Sequence, residues 1–190
     1  MAGCLSQRHK AGVDTSQSLR RRRNTMTDVA NKIITSEQAI RLSEELREKH
    51  KRIVLCGGCF DILHIGHAIF LSHAKKQGDA LFILLESDLA IRKLKGKNRP
   101  INSQDDRAML LALLSITDGI ILLNGVLYDE DYDKLISALK PAIIATTKAD
   151  PQRAHKVRQA DSVGANVIDV TEQIKTNSTT KIAELLQSEL

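Results

Sequence analysis

The sequence predicts an α/β domain with a doubly wound, five-stranded parallel sheet. Three observations carry this. Short runs at 53–55, 80–86, 119–123, 142–145 and 166–170 read as strands, and the continuous apolar residues of the first two read as strands covered on both faces. Helical patterns separate them, and alternation of strand and helix forces parallel pairing through crossovers. With 190 residues and 42% hydrophobic content, the chain is long enough for one domain with a substantial core.

In chain order, residues 1–27 hold six Lys/Arg against Asp14, including Arg20-Arg21-Arg22-Arg23, and little that is apolar. They read as a basic, disordered tail that folding does not need. The ordered domain is expected over 28–190. Thr35 and Gln38 have the spacing of a capping box and open a lead-in helix over 36–49. After the strand at 53–55, Gly57 and Gly58 are expected to end it and turn the chain. The next helix begins near His64-Ile65-Gly66-His67, and Gly78 is its expected C-cap. The run from Arg92 to Arg99 has five cations and one glycine, and reads as a mobile basic loop. Ser103 caps a helix running to about Ser115, with Asp105 and Asp106 in its first turn. Helices at 131–139, stopped by Pro141, at 152–160 and at 180–187 complete the pattern.

A buried strand, a glycine turn and a helix N-terminus together make an anion site, because the first N–H groups of a helix lack partners. Here that site also carries two imidazoles. The combination resembles the nucleotidyltransferase superfamily with a His-x-Gly-His signature, in its cytidylyltransferase-like branch. The likeness is strongest to bacterial heptose 1-phosphate adenylyltransferases of the ADP-heptose synthase type. It rests on Gly58-Cys-Phe-Asp-Ile-Leu-His-x-Gly-His67, Gly78-Asp79, Ser87-Asp88, Lys95-Gly96, Arg99-Pro-Ile101, Asp106-Arg107 and Ser178-Thr-Thr-Lys-Ile182. The resemblance implies a Rossmann-like domain.

It also implies transfer of NMP from an NTP to a phosphorylated sugar or polyol, with loss of pyrophosphate. In that reaction His64, His67 and Lys95 are the expected catalytic residues. Gly58, Cys59, Phe60, Gly66, Asp88, Arg99, Arg107, Ser178, Thr179 and Thr180 would bind the nucleotide, and Asp61 would orient the acceptor or the turn itself. Arg107 either reaches phosphate or pairs with a nearby acid. Mg²⁺ is expected with the NTP, since it prefers phosphate oxygens and water to a protein cage. Homodimers are common in such families.

One departure bears on the substrate. Heptose-type relatives carry Lys-Gly-Gly-Asp-Tyr after the fourth strand, where this chain reads Thr147-Lys-Ala-Asp-Pro151. ATP with a heptose-like sugar 1-phosphate is favoured. CTP with a glycerol, ribitol or ethanolamine phosphate, FMN adenylylation, and a non-catalytic nucleotide-binding module are the alternatives.

Other functions fit less well. Outside 1–27 the charges cancel, 22 against 22, and aromatics are only 3%, so a nucleic-acid surface is disfavoured. Neither a membrane span nor a secretory signal is apparent, which points to the cytoplasm. Cys56 and Cys59 spell C-x-x-C, but Cys56 ends a buried strand and the two histidines are wanted for phosphate. They are read as packing residues, and no metal ligands are assigned.

Overall fold

The computed structural model describes residues 28–172. The elements are β1 (Ile33–Ile34), α1 (Ser36–Glu48), β2 (Ile53–Gly58), α2 (Ile65–Lys75), β3 (Ala80–Leu85) and α3 (Asp88–Lys95). There follow α4 (Gln104–Ala112), β4 (Gly119–Leu122), α5 (Asp129–Leu139), β5 (Ile143–Thr147), α6 (Arg153–Val163) and β6 (Asn166–Thr171). All strands are parallel, in the order β1-β4-β3-β2-β5-β6.

The sheet has six strands, where five were expected. The extra one, β1, pairs Ile33 with Ile120 and Ile34 with Ile121 at the edge. Two residues are too few to display a hydrophobic period. The helix expected at 180–187 lies outside the described residues.

Each buried strand divides its side chains between two apolar layers, as a period of two requires. Val54 and Cys56 join Leu71, Ile83 and Leu111 on one face. Ile53 and Leu55 join Ala39, Phe82, Leu139 and Ala160 on the other. Helices α2 and α4 thus cover one side, and α1, α5 and α6 the other.

Three local expectations need correction. Strand β2 does not stop at the glycines: Gly57 and Gly58 stay in register with Leu84 and Leu85 of β3. The turn comes at Phe60, whose φ is 46°, and a Cβ on Gly58 would meet its ring at 3.0 Å. Gly58 is small so that the Phe60 ring can fold back over it.

Gly78 does not cap α2, which ends at Lys75 with Lys76 as its cap. Gly78 is instead a close approach, since a Cβ there would lie 2.7 Å from the Arg52 carbonyl oxygen.

The basic run is not a loop throughout. Residues up to Lys95 belong to α3, where the Ser87 hydroxyl accepts from the Ala90 N–H and Ile91 is buried. Its cations occupy the last turn, where they complement the helix dipole.

Candidate functional site

Strands β3 and β4 lie on one side of β2, and β5 and β6 on the other, so the winding reverses between β2 and β5. At such a switch point the loops leave in opposite directions and open a crevice at the strands' C-terminal ends. A cleft of about 280 Å³ lies there, lined by Gly57, Gly58, Cys59, Phe60, Gly66, His64 and His67 on one wall. Thr146, Thr147, Asp150, Lys156, Thr171 and Glu172 line the other.

His64 is the N-cap of α2. Its Nδ1 accepts from the Gly66 N–H (3.1 Å), while the His67 and Ala68 N–H groups reach the His64 carbonyl (2.9 and 3.2 Å). An imidazole that accepts at Nδ1 carries its proton on Nε2, so His64 is fixed as a neutral donor.

The two imidazoles stack, with centroids 3.9 Å apart and 23° between planes, and Phe60 tilts against His67 at 5.0 Å. Burial lowers both histidines' pKa. For His67 the fall reaches about 4, helped by His64 and Lys95 and opposed by a hydrogen bond with the Ile62 backbone.

The expected cations have different fates. Asp61, 1% exposed, takes Arg99 on Oδ2 (2.6 Å from Nε), and the Ile101 and Asn102 N–H groups on Oδ1 (2.8 and 3.1 Å). This cluster moors 99–102 against the turn. Arg107 has no exposed surface. It donates to the carbonyls of Asn102 (3.1 Å), Cys59 (2.6 Å) and Glu86 (2.9 Å), and to Asp88 Oδ1 (2.8 Å). Asp88 is therefore its ion-pair partner. Lys95 stays exposed at the end of α3, near enough for its charge to act on His67 and Cys59. Ser178, Thr179 and Thr180 lie outside the described residues.

Burial pushes the Cys56 thiol up to about 12 and raises that of Cys59, which keeps both as thiols. Among the described residues, no three His, Cys, Asp or Glu are placed to share a metal ion.

Sequence reasoning missed two groups. Tyr132 donates to Glu86 Oε1 (2.6 Å) beside Cys59, and burial raises the pKa of both. On the β5 wall, the Thr146 hydroxyl donates to Asp150 Oδ2 (2.6 Å), and Lys156 Nζ to the same oxygen (2.5 Å) and to Thr146 Oγ1 (3.3 Å). Burial alone would raise the Asp150 pKa, but the Lys156 and Thr146 contacts overcome it and hold it below its ordinary value. The available signal was the Thr146-Thr147 pair at the end of an apolar run. Nothing in sequence pointed to Lys156.

Chemically, the cleft offers neutral donors, backbone N–H groups and nearby lysines, but no activated nucleophile among the described residues. Such a set binds and orients a polyanion and stabilises charge developing on it.

The model of the cytidylyltransferase-like family matches residues 55–185. The bifunctional protein HldE of Nitratiruptor sp. is 38% identical over 148 residues, 77% of this chain and 30% of that protein. HldE of Helicobacter pylori is 49% identical over 105 residues, 55% of this chain and 22% of that protein. The chain thus spans less than a third of the length of these curated relatives. A lipopolysaccharide core biosynthesis protein from Thermoplasma volcanium superposes with a TM-score of 0.53 at 28% identity, covering 65% of this chain and 97% of that one. A pantoate-beta-alanine ligase from Francisella tularensis, solved with beta-gamma ATP and beta-alanine, gives 0.57 at 15% identity over 82% and 76%; that likeness concerns the fold alone. No helix of the described residues is long and apolar enough to cross a membrane.

Proposed function

The chain belongs to the cytidylyltransferase-like family, and from that premise we propose that it is a nucleotidyltransferase acting on an NTP and a phosphorylated sugar or polyol. ATP with a heptose-like sugar 1-phosphate is the favoured pair, and the cytoplasm the expected setting. The observation that carries the reading is the stacked, neutral His64–His67 pair at the start of α2, beside the crevice between β2 and β5.

A phosphate oxygen of the acceptor attacks the α-phosphorus. The new P–O bond forms as the bond to the β-phosphate oxygen breaks, and pyrophosphate leaves with those electrons. The attacking group is already ionised, so no general base is needed. The difficulty is to gather anions and to spread charge over the α-phosphoryl oxygens, which neutral N–H donors do without reorganising. His64 donates from Nε2, His67 lies stacked against it, and Lys95 supplies charge from the rim as pyrophosphate departs.

Mg²⁺ is expected as part of the MgNTP substrate. Asp61, Asp88 and Asp150 already face Arg99, Arg107 and Lys156, so these three carboxylates form no free cage for it. The altered stretch from Thr147 to Pro151 borders the cleft and keeps CTP-dependent polyol-phosphate transfer as the second reading.

The test is pyrophosphate release with ATP and CTP across a panel of sugar and polyol phosphates. One pair should stand out, and His67→Ala should lower its kcat by roughly 10²–10³-fold with a smaller change in KM. Release from no pair, or full activity in His67→Ala, would overturn the reading.

A further inference from the structure

The geometry points to Lys156 as the residue that receives a substrate phosphate on the β5 wall, with Asp150 and Thr146 as its positioning residues. This rests on the nucleotidyltransferase reading and adds a contact that the family motifs in this sequence do not mark.

The argument begins from charge. A triphosphate and a sugar phosphate must meet in a cleft whose far wall already holds Asp150 and Glu172. Of the three motif cations among the described residues, Lys95, Arg99 and Arg107, two are committed elsewhere. Arg99 is paired with Asp61, and Arg107 is enclosed by three carbonyls and Asp88. Lys95 stands on the rim and is not among the lining residues. Lys156 is the one lysine or arginine among the described residues that lines the cleft. Its ammonium reaches Thr146 Oγ1 (3.3 Å) at the end of β5, the strand that pairs with β2 across the switch point.

The blander account makes the pair a brace between α6 and the loop before it. Two observations weigh against that as the whole explanation. The loop has its own lock, because Asp150 Oδ1 accepts the Gln152 N–H at 2.8 Å without the lysine. The helix also has braces of ordinary kind in Arg153–Asp169 and Arg158–Asp133, neither of which lines the cleft.

The Lys156 side chain is 21% exposed and uses two of its three N–H donors, on Asp150 and Thr146. The third is available to a ligand oxygen. Asp150 and the buried Thr146 hydroxyl prevent the long side chain from wandering, so little rotamer entropy remains to be lost on binding.

The phosphate could be the nucleotide's or the acceptor's, and direct binding separates the two. Calorimetry would measure ATP, inorganic pyrophosphate and the active sugar or polyol phosphate, each alone, on wild type, Lys156→Ala, Lys156→Met, Lys156→Arg and Asp150→Asn. A hydrogen bond to a charged group predicts a loss of about tenfold to a hundredfold in Lys156→Ala and Lys156→Met. Arg should recover most of it, and Asp150→Asn should lose about threefold.

Loss confined to ATP and pyrophosphate assigns Lys156 to the nucleotide. Loss confined to the acceptor assigns it to the acceptor phosphate. Folded Lys156→Met that binds every probe like wild type overturns the inference, whatever the turnover assay shows. Conversely, a protein that binds pyrophosphate through Lys156 yet releases none from any substrate pair retains the site and loses the nucleotidyl-transfer reading.

Discussion

Arg107 belongs to a motif associated with phosphate handling, yet its surroundings predict that its loss strongly destabilises the fold. Its guanidinium is wholly buried and ties together three chain segments through four acceptors, on Asn102, Cys59, Glu86 and Asp88. In Arg107→Ala three carbonyls lose their donor, at about 1–3 kcal/mol for each that stays dry. Water entering the vacated space recovers part of this, and Asp88, with 28% of its side chain exposed, can rehydrate. Removing one member of a buried pair typically costs about 3–5 kcal/mol, so about 4 kcal/mol is the expectation. That is a large fraction of the roughly 5–15 kcal/mol that holds a domain folded. With a urea slope near ~2 kcal/mol/M, the midpoint should fall by about 2 M. Arg107→Lys should fare little better, because one ammonium cannot span the four acceptors. An unchanged midpoint together with lost ATP binding would refute the argument and make Arg107 a phosphate ligand.

Asp61→Asn should strand the Arg99 guanidinium, itself 9% exposed, at a cost of about 3 kcal/mol, read as a fall in Tm of roughly 6–12 °C; an unshifted melt would show that the pair adds nothing. His67 should make the protein acid-sensitive. Its folded pKa of about 4 lies below the ordinary 6.5, so the unfolded chain binds the proton first. The associated stability, at most about 3 kcal/mol, is complete above pH 6.5 and is lost as pH falls towards 4. Between pH 7.5 and 4 the urea midpoint should therefore fall further in wild type than in His67→Gln, and parallel curves would contradict this.

What could be read from sequence was whatever depends on neighbours along the chain. The Thr35–Gln38 capping box forms with both of its bonds, and Ser103 caps α4 as its spacing implies. The five runs all form strands; where apolar residues are continuous, as in β3, the strand is covered on both faces, whereas β6, with Asn166 and Asp169 in its run, is only partly buried. Partners distant in sequence were not legible. A run of cations looks the same whether it ends a helix or swings in a loop, and only the burial of Ile91 decides for α3. Arg99 reads as a phosphate ligand and Arg107 as either that or an acid's partner, because sequence shows a charge but not the acid or carbonyl 38 or 48 residues away. Lys156 was invisible for the converse reason: helix α6 has no strong apolar stripe to fix which of its faces meets the cleft.

These assignments change where the site's positive charge originates. A protonated His64 would have no lone pair for the Gly66 N–H, so the cap and the imidazolium are mutually exclusive. His67 is held neutral more strongly still. On the proposed function the histidines would serve as oriented dipoles, with formal charge supplied by Lys95 and Lys156. A dipole donor needs no proton to arrive before it can act, so its strength should not vary above pH 6.5. An incoming phosphate would favour the charged imidazole, yet protonating His64 would break the cap at the head of α2. That conflict keeps His64 neutral unless the phosphate's pull exceeds the roughly 1 kcal/mol that such a cap contributes.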